Sequence, residues 1–134
     1  MRLSTAVRNA AANGIVGLVN IGAGNGKLQL WSGAYPTNVG DAPAGNLLAE
    51  FEYDSTAFGS ASDGTAAANG MPKTVTGLDD GQVAWYRVTD GDGTPLWDND
   101  SVGTSGTALT LNTTTISTGV DVTANSHTVT MPAS

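Results

Sequence analysis

Two hydrophobic rhythms divide this chain. Over residues 4–21, Val7, Ala10, Ala11, Ile15, Leu18 and Val19 recur near the i, i+3, i+4 spacing of a one-sided helix. Ser4 offers an N-cap oxygen to the first unpaired amides, and Gly22 and Gly24 supply stop signals. Gly14 and Gly17 each weaken such a helix by about 1 kcal/mol relative to Ala, so its apolar stripe is expected to dock on the rest of the fold.

From Lys27 the period changes to two. Leu28 and Leu30 point one way; Lys27, Gln29 and Trp31 point the other. After a loop over residues 32–45, Leu47, Ala49, Phe51 and Tyr53 alternate with Leu48, Glu50, Glu52 and Asp54, which predicts a strand with one wet face. Residues 57–69 are rich in small side chains and carry the turn signal Asp63-Gly64, predicting a bent or edge strand pair. A short strand is expected over residues 72–76. Gln82 to Thr89 has the strongest strand pattern, and the turn Asp90-Gly91-Asp92-Gly93 reverses it into a hairpin partner at Pro95-Leu96-Trp97. Leu109 and Leu111, then Val120 and Val122, then Val129 and Met131 mark the remaining strands, the last pair facing inward.

The helix precedes every strand, so no βαβ alternation and no parallel sheet are expected. The pattern predicts a single all-β, mainly antiparallel domain over residues 1–134. Its body over residues 27–131 reads as a β-sandwich or jelly roll of about eight strands, with one N-terminal α-helix over residues 4–21.

Composition narrows the chemistry. Of 134 residues, 40% are apolar but only 6% aromatic, which points to a core of Leu, Val and Ala. The absence of cysteine removes a disulfide framework and a thiolate metal site. Twelve acidic against five basic residues give a net charge of −7, which argues against a nucleic-acid surface and an anionic membrane face. Such a charge serves solubility or complements a basic partner. No window approaches the roughly 18 apolar residues of a membrane span. The opening residues lack the unbroken apolar run of about 7–15 residues of a signal peptide.

Groups able to make or break bonds are sparse. Ile21 to Lys27 resembles a phosphate loop only faintly, because Ile21 and Leu28 occupy the positions that need Gly and Ser or Thr. The acidic residues between Asp90 and Asp100 suggest a calcium loop, yet Pro95 and Ser101 stand where an EF-hand needs Gly and a carboxylate. Hairpin turns explain them more simply, with loose calcium binding as the other reading. Glu50 and Glu52 share a strand face about 7 Å apart, a separation that overlaps glycosidase geometry, but nothing in the sequence suggests the apolar pocket that raises a catalytic carboxyl's pKa. His127 stands between Ser126 and Thr128, the setting of a surface or edge-strand histidine. Trp31, Tyr35, Trp85, Tyr86 and Trp97 read first as core, with Trp85 and Trp97 paired across their hairpin, and otherwise as a protein interface or a sugar platform. The expectation is a non-enzymatic protein with no catalytic residues, cofactor or metal.

Several stretches carry a resemblance: Ala84-Trp85-Tyr86-Arg87-Val88, Asp90-Gly91-Asp92-Gly93, Ser101 to Gly106, Leu109-Thr110-Leu111-Asn112-Thr113, the opening Leu3 to Asn9 and the ending Val129 to Ser134. Together they resemble small virion structural proteins of tailed bacteriophages, of the capsid decoration (cement) type. The resemblance implies a β-sandwich or jelly-roll domain on the capsid exterior, made in the host cytoplasm. There it would bind across major capsid protein subunits and copies of itself as a homo-oligomer, with neither nucleic acid nor membrane as partner. Arg2, Arg8, Tyr35 and Pro36 are the expected contact residues. The alternative is a neck, tail or fibre-associated virion protein, with glycan binding through the aromatics. A small hydrolase built on Glu50 and Glu52 or on His127 is the reading from a different class. The departure from the pattern is Asn13-Gly14 and Gly17 within the helix, where stronger helix formers are expected.

Overall fold

Helix α1 (Thr5–Gly17) runs into a 3-10 turn at Leu18–Asn20 in the computed structural model, which describes residues 1–133. Ser4 caps it as expected, its Oγ accepting from the Val7 N–H at 3.2 Å, a contact worth about 1 kcal/mol. Ala12 and Val16 are buried on its inner side. The asparagines that weaken the helix tie it down. Asn9, Asn13 and Asn20 accept the backbone N–H groups of Gly64, Ala61 and Ala57 at 2.7–2.8 Å. Asn13 thus supplies docking in a place where a better helix former supplies none.

Among the described residues eleven strands follow, antiparallel except for one pair. The first sheet has the order β2-β1-β6-β7, formed by β1 (Lys27–Trp31), β2 (Leu47–Glu52), β6 (Trp85–Thr89) and β7 (Pro95–Asn99). The second has the order β3-β11-β9-β8, formed by β3 (Thr65–Ala67), β8 (Val102–Gly103), β9 (Leu109–Leu111) and β11 (Asp121–Thr130), with β4 (Lys73–Thr76) also paired to β11. The short strands β5 (Gly81–Gln82) and β10 (Thr115–Ile116) form a separate ladder. Three of the eleven are two-residue pieces, which accounts for the excess over the expected eight. One apolar core joins Leu28, Leu30, Phe51, Tyr86 and Val88 of the first sheet to Ala66, Leu109, Leu111, Val122 and Ala124 of the second, as in a small β-sandwich. The strand order does not establish the jelly-roll variant, whose eight strands form two Greek keys.

Four local expectations need correction. Leu48, assigned to the wet face of its strand, is fully buried. The ladder shifts between Leu30↔Ala49 and Trp31↔Leu47, and this bulge at Leu48 turns its side chain inward. The strand expected over Gln82 to Thr89 is split, with β5 ending at Gln82 and β6 beginning at Trp85, and all five residues of β6 are buried. Trp85 pairs with Trp31, not Trp97: the two residues are opposite in the β1–β6 ladder and their rings stack at 5.9 Å. Val120 is exposed in the turn before β11, which begins at Asp121.

Candidate functional site

The outer face of the first sheet carries most of the polar chemistry, arranged as cross-strand pairs. Lys27 pairs with Glu52, and Gln29 donates from Nε2 to Glu50 Oε2 at 2.8 Å. These residues are ladder partners, so each bond lies directly across the strands. Lys27 beside Glu52 holds its carboxyl below the usual carboxylate range. An acid catalyst needs the opposite shift.

The loop between β1 and β2 folds over the same face. Tyr35 donates its hydroxyl to the Asp98 carbonyl at 2.8 Å and sets its ring edge against Trp85 at 6.2 Å. Burial raises the phenol's pKa, with the charges of Asp100 and Asp98 adding to it. About half of the Tyr35 surface is still exposed, and Pro36 beside it is half-buried. Beneath them Arg87, opposite Asp98 in the ladder, forms a two-pronged ion pair with it.

Of the other expected contact residues, Arg2 is exposed. Arg8 is turned inward, donating from Nε to the Met131 carbonyl and from Nη2 to the Asp63 carbonyl, both at 2.9 Å. It clamps the helix to the end of β11 and to the Asp63-Gly64 turn.

The acidic turn is occupied by its own backbone. Asp90 is buried and its Oδ1 accepts from the Asp92 and Thr94 N–H groups at 2.9 and 3.0 Å. Asp92 Oδ1 accepts from the Ala23 N–H at 3.1 Å. The glycine-rich connector after the helix packs on this turn, with Gly91 donating to Ile21 and Gly24 donating to Gly91. Among the described residues, no three carboxylate or imidazole side chains converge as a metal site would require.

His127 is the largest misplacement of the sequence reading. It is 1% exposed, enclosed by Tyr53, Phe58 and Tyr86 with ring centroids 5.3–6.0 Å away. Neither ring nitrogen has a hydrogen-bond partner among the described residues. Burial pushes its pKa down to about 4, with the nearby Ala108 carbonyl opposing the shift. A neutral imidazole shut away from solvent has no access to a substrate.

Three exposed apolar residues lie on or just after the helix, while Val39, Leu78 and Val120 stand singly in loops. Val7 and Leu18 are about three turns apart, on the side opposite Ala12 and Val16, with Gly14 between them and Ile21 just beyond. Val7, Leu18 and Ile21 are 50%, 46% and 54% exposed. A surface helix ordinarily turns charge to that side. This face was not singled out in the sequence, because the stripe chosen as inward mixed the exposed Val7 and Leu18 with the buried Val19 and left out the buried Ala12 and Val16.

A cleft of about 490 Å³ opens where β7 and the second sheet part, under Ile15 of the helix. Trp97, Tyr86, Asn99 and Ser101 line one side, and residues 128–130 of β11 the other. Compared with family models, with curated proteins and with solved structures, the chain matches none. Among the described residues no helix is long and apolar enough to cross a membrane.

Proposed function

We propose that this chain is a non-enzymatic structural protein of a bacteriophage virion that decorates the capsid exterior. In this reading it binds across neighbouring major capsid protein subunits and associates with copies of itself. The observation that carries the reading is the outward apolar face of α1, formed by Val7, Gly14, Leu18 and the adjoining Ile21. Apolar side chains held at the surface by a helix tied to its scaffold suit burial against another protein. The space beside Gly14 and Gly17 lets a partner backbone approach closely.

The mechanism is mass action. Contacts that exist only in the assembled shell stabilise that shell by the free energy of binding to it. Many copies on a symmetric lattice raise the total effect without any one contact being strong. Counting copies per virion tests the reading: on the order of hundreds places the protein on the head shell, whereas about six or twelve assigns it to the neck or tail.

A further inference from the structure

We propose that the cleft between β7 and the second sheet binds a neutral saccharide, with one hexose ring laid against Trp97 and its hydroxyls met by Tyr86, Asn99 and Ser101. The volume of about 490 Å³ lies within the roughly 300–1,000 Å³ of small-ligand sites and suits one or two sugar rings. No lining side chain is charged, in a protein of net charge −7, so the cleft selects a neutral ligand.

The polar groups are fixed in advance. Asn99 accepts from the Ser101 N–H at 3.0 Å and donates from Nδ2 to the Tyr86 hydroxyl at 3.2 Å. Because the Tyr86 oxygen is accepting, its own hydrogen is left to donate. Ser101 Oγ likewise accepts from the Ala108 N–H at 2.9 Å and keeps its hydrogen. Burial pushes the Tyr86 phenol up to about 12, with the Asn99 amide partly offsetting it, so the group remains a donor at neutral pH. Trp97 is half-buried and adds a flat apolar wall beside these donors. A sugar ring has one apolar face and a rim of hydroxyls, which is the same division of surface. The inference stands apart from the capsid reading, since the cleft uses side chains other than those of the outward face of α1 and needs no shell.

The test is a titration of the isotope-labelled full chain with methyl glucoside, methyl galactoside and methyl mannoside, read by amide and indole chemical shifts. Cyclohexanol serves as a ring of similar size without the hydroxyl rim. The expected result is a saturable shift of the Trp97 indole N–H and of the Asn99 and Ser101 amides by at least one hexoside, at millimolar Kd, with cyclohexanol weaker. Ser101→Ala should weaken binding by roughly tenfold, with changes in the free chain confined to the surroundings of Ala108, whose N–H loses its acceptor. Trp97→Leu should abolish it, and Ser101→Ala decides the matter where Trp97→Leu fails to fold. A tetrasaccharide ending in the same hexose distinguishes the source: equal affinity assigns the cleft to a glycan end, and loss assigns it to a free sugar, both within the proposal. No saturable shift with any hexoside, equal binding of cyclohexanol, or binding unchanged by Ser101→Ala would overturn it.

Discussion

Arg87 and Asp98 face each other across the β6–β7 ladder and meet through two bonds, Nε to Oδ1 at 2.7 Å and Nη2 to Oδ2 at 3.1 Å. Their side chains are only 7% and 3% exposed. Arg87 Nη2 also donates to the Asp41 carbonyl at 2.9 Å, and its guanidinium lies 5.1 Å over the Trp85 ring. One arginine thus holds the hairpin, the loop after β1 and the Trp31–Trp85 stack together. Removing only the carboxylate leaves a buried cation without its partner. Asp98→Ala is therefore expected to cost about 3–5 kcal/mol, read by urea unfolding. A loss within a few tenths of a kcal/mol would show that the pair does not hold this face.

His127 makes stability depend on pH. Its folded pKa of about 4 lies below the roughly 6.5 of an unfolded histidine, so the unfolded chain binds a proton first as pH falls. The native state has its full advantage above about pH 6.5, loses it progressively toward pH 4, and loses no more from this group below that. The loss should total about 3 kcal/mol. His127→Phe fits the same aromatic surroundings without titrating and should flatten the profile in that window. Glu52 and Asp80, whose carboxyls are held low by Lys27 and by the Thr118 N–H, add acid sensitivity only at lower pH.

Two glycines should respond oppositely to alanine. At Gly14 an added Cβ meets nothing within 4 Å, so Gly14→Ala should raise stability by up to about 1 kcal/mol through helix propensity. At Gly91 the added carbon would sit 1.9 Å from the Gly24 carbonyl oxygen, and the connector must move off the turn. Gly91→Ala should cost about 3 kcal/mol. Thermal unfolding of the two variants should therefore show midpoints on either side of the parent.

The outward face of α1 separates docking from folding. Leu18→Lys changes a side chain that is 46% exposed at the C-terminal end of α1, where a cation suits the helix dipole, so stability should move by no more than about 0.5 kcal/mol. Occupancy on capsids should nonetheless fall at least tenfold. Equal occupancy would remove this face from the proposed interface.

The strands were legible wherever turn chemistry bounded a period-two run. The hairpin at Asp90–Gly93 and the one-sided burial of Leu28, Leu30, Leu109 and Leu111 follow directly from the pattern. Bulges hid the rest. In β11 the register shifts between Ala124 and Ser126, so burial passes from Val122 and Ala124 to His127, a position of opposite parity. Alternation alone does not locate that extra residue. The Trp31–Trp85 stack joins strands far apart in sequence, a pairing set by sheet order and not by local pattern. The seam cleft escaped for the same reason, since α1, β7 and β11 meet only in the folded chain.

The most direct test of the decoration role compares phage particles with and without this protein under heating and osmotic shock. The account predicts that particles lacking it assemble with normal yield, lose their contents at lower temperature, and regain resistance when the purified protein is added back. Equal robustness without it would contradict the account.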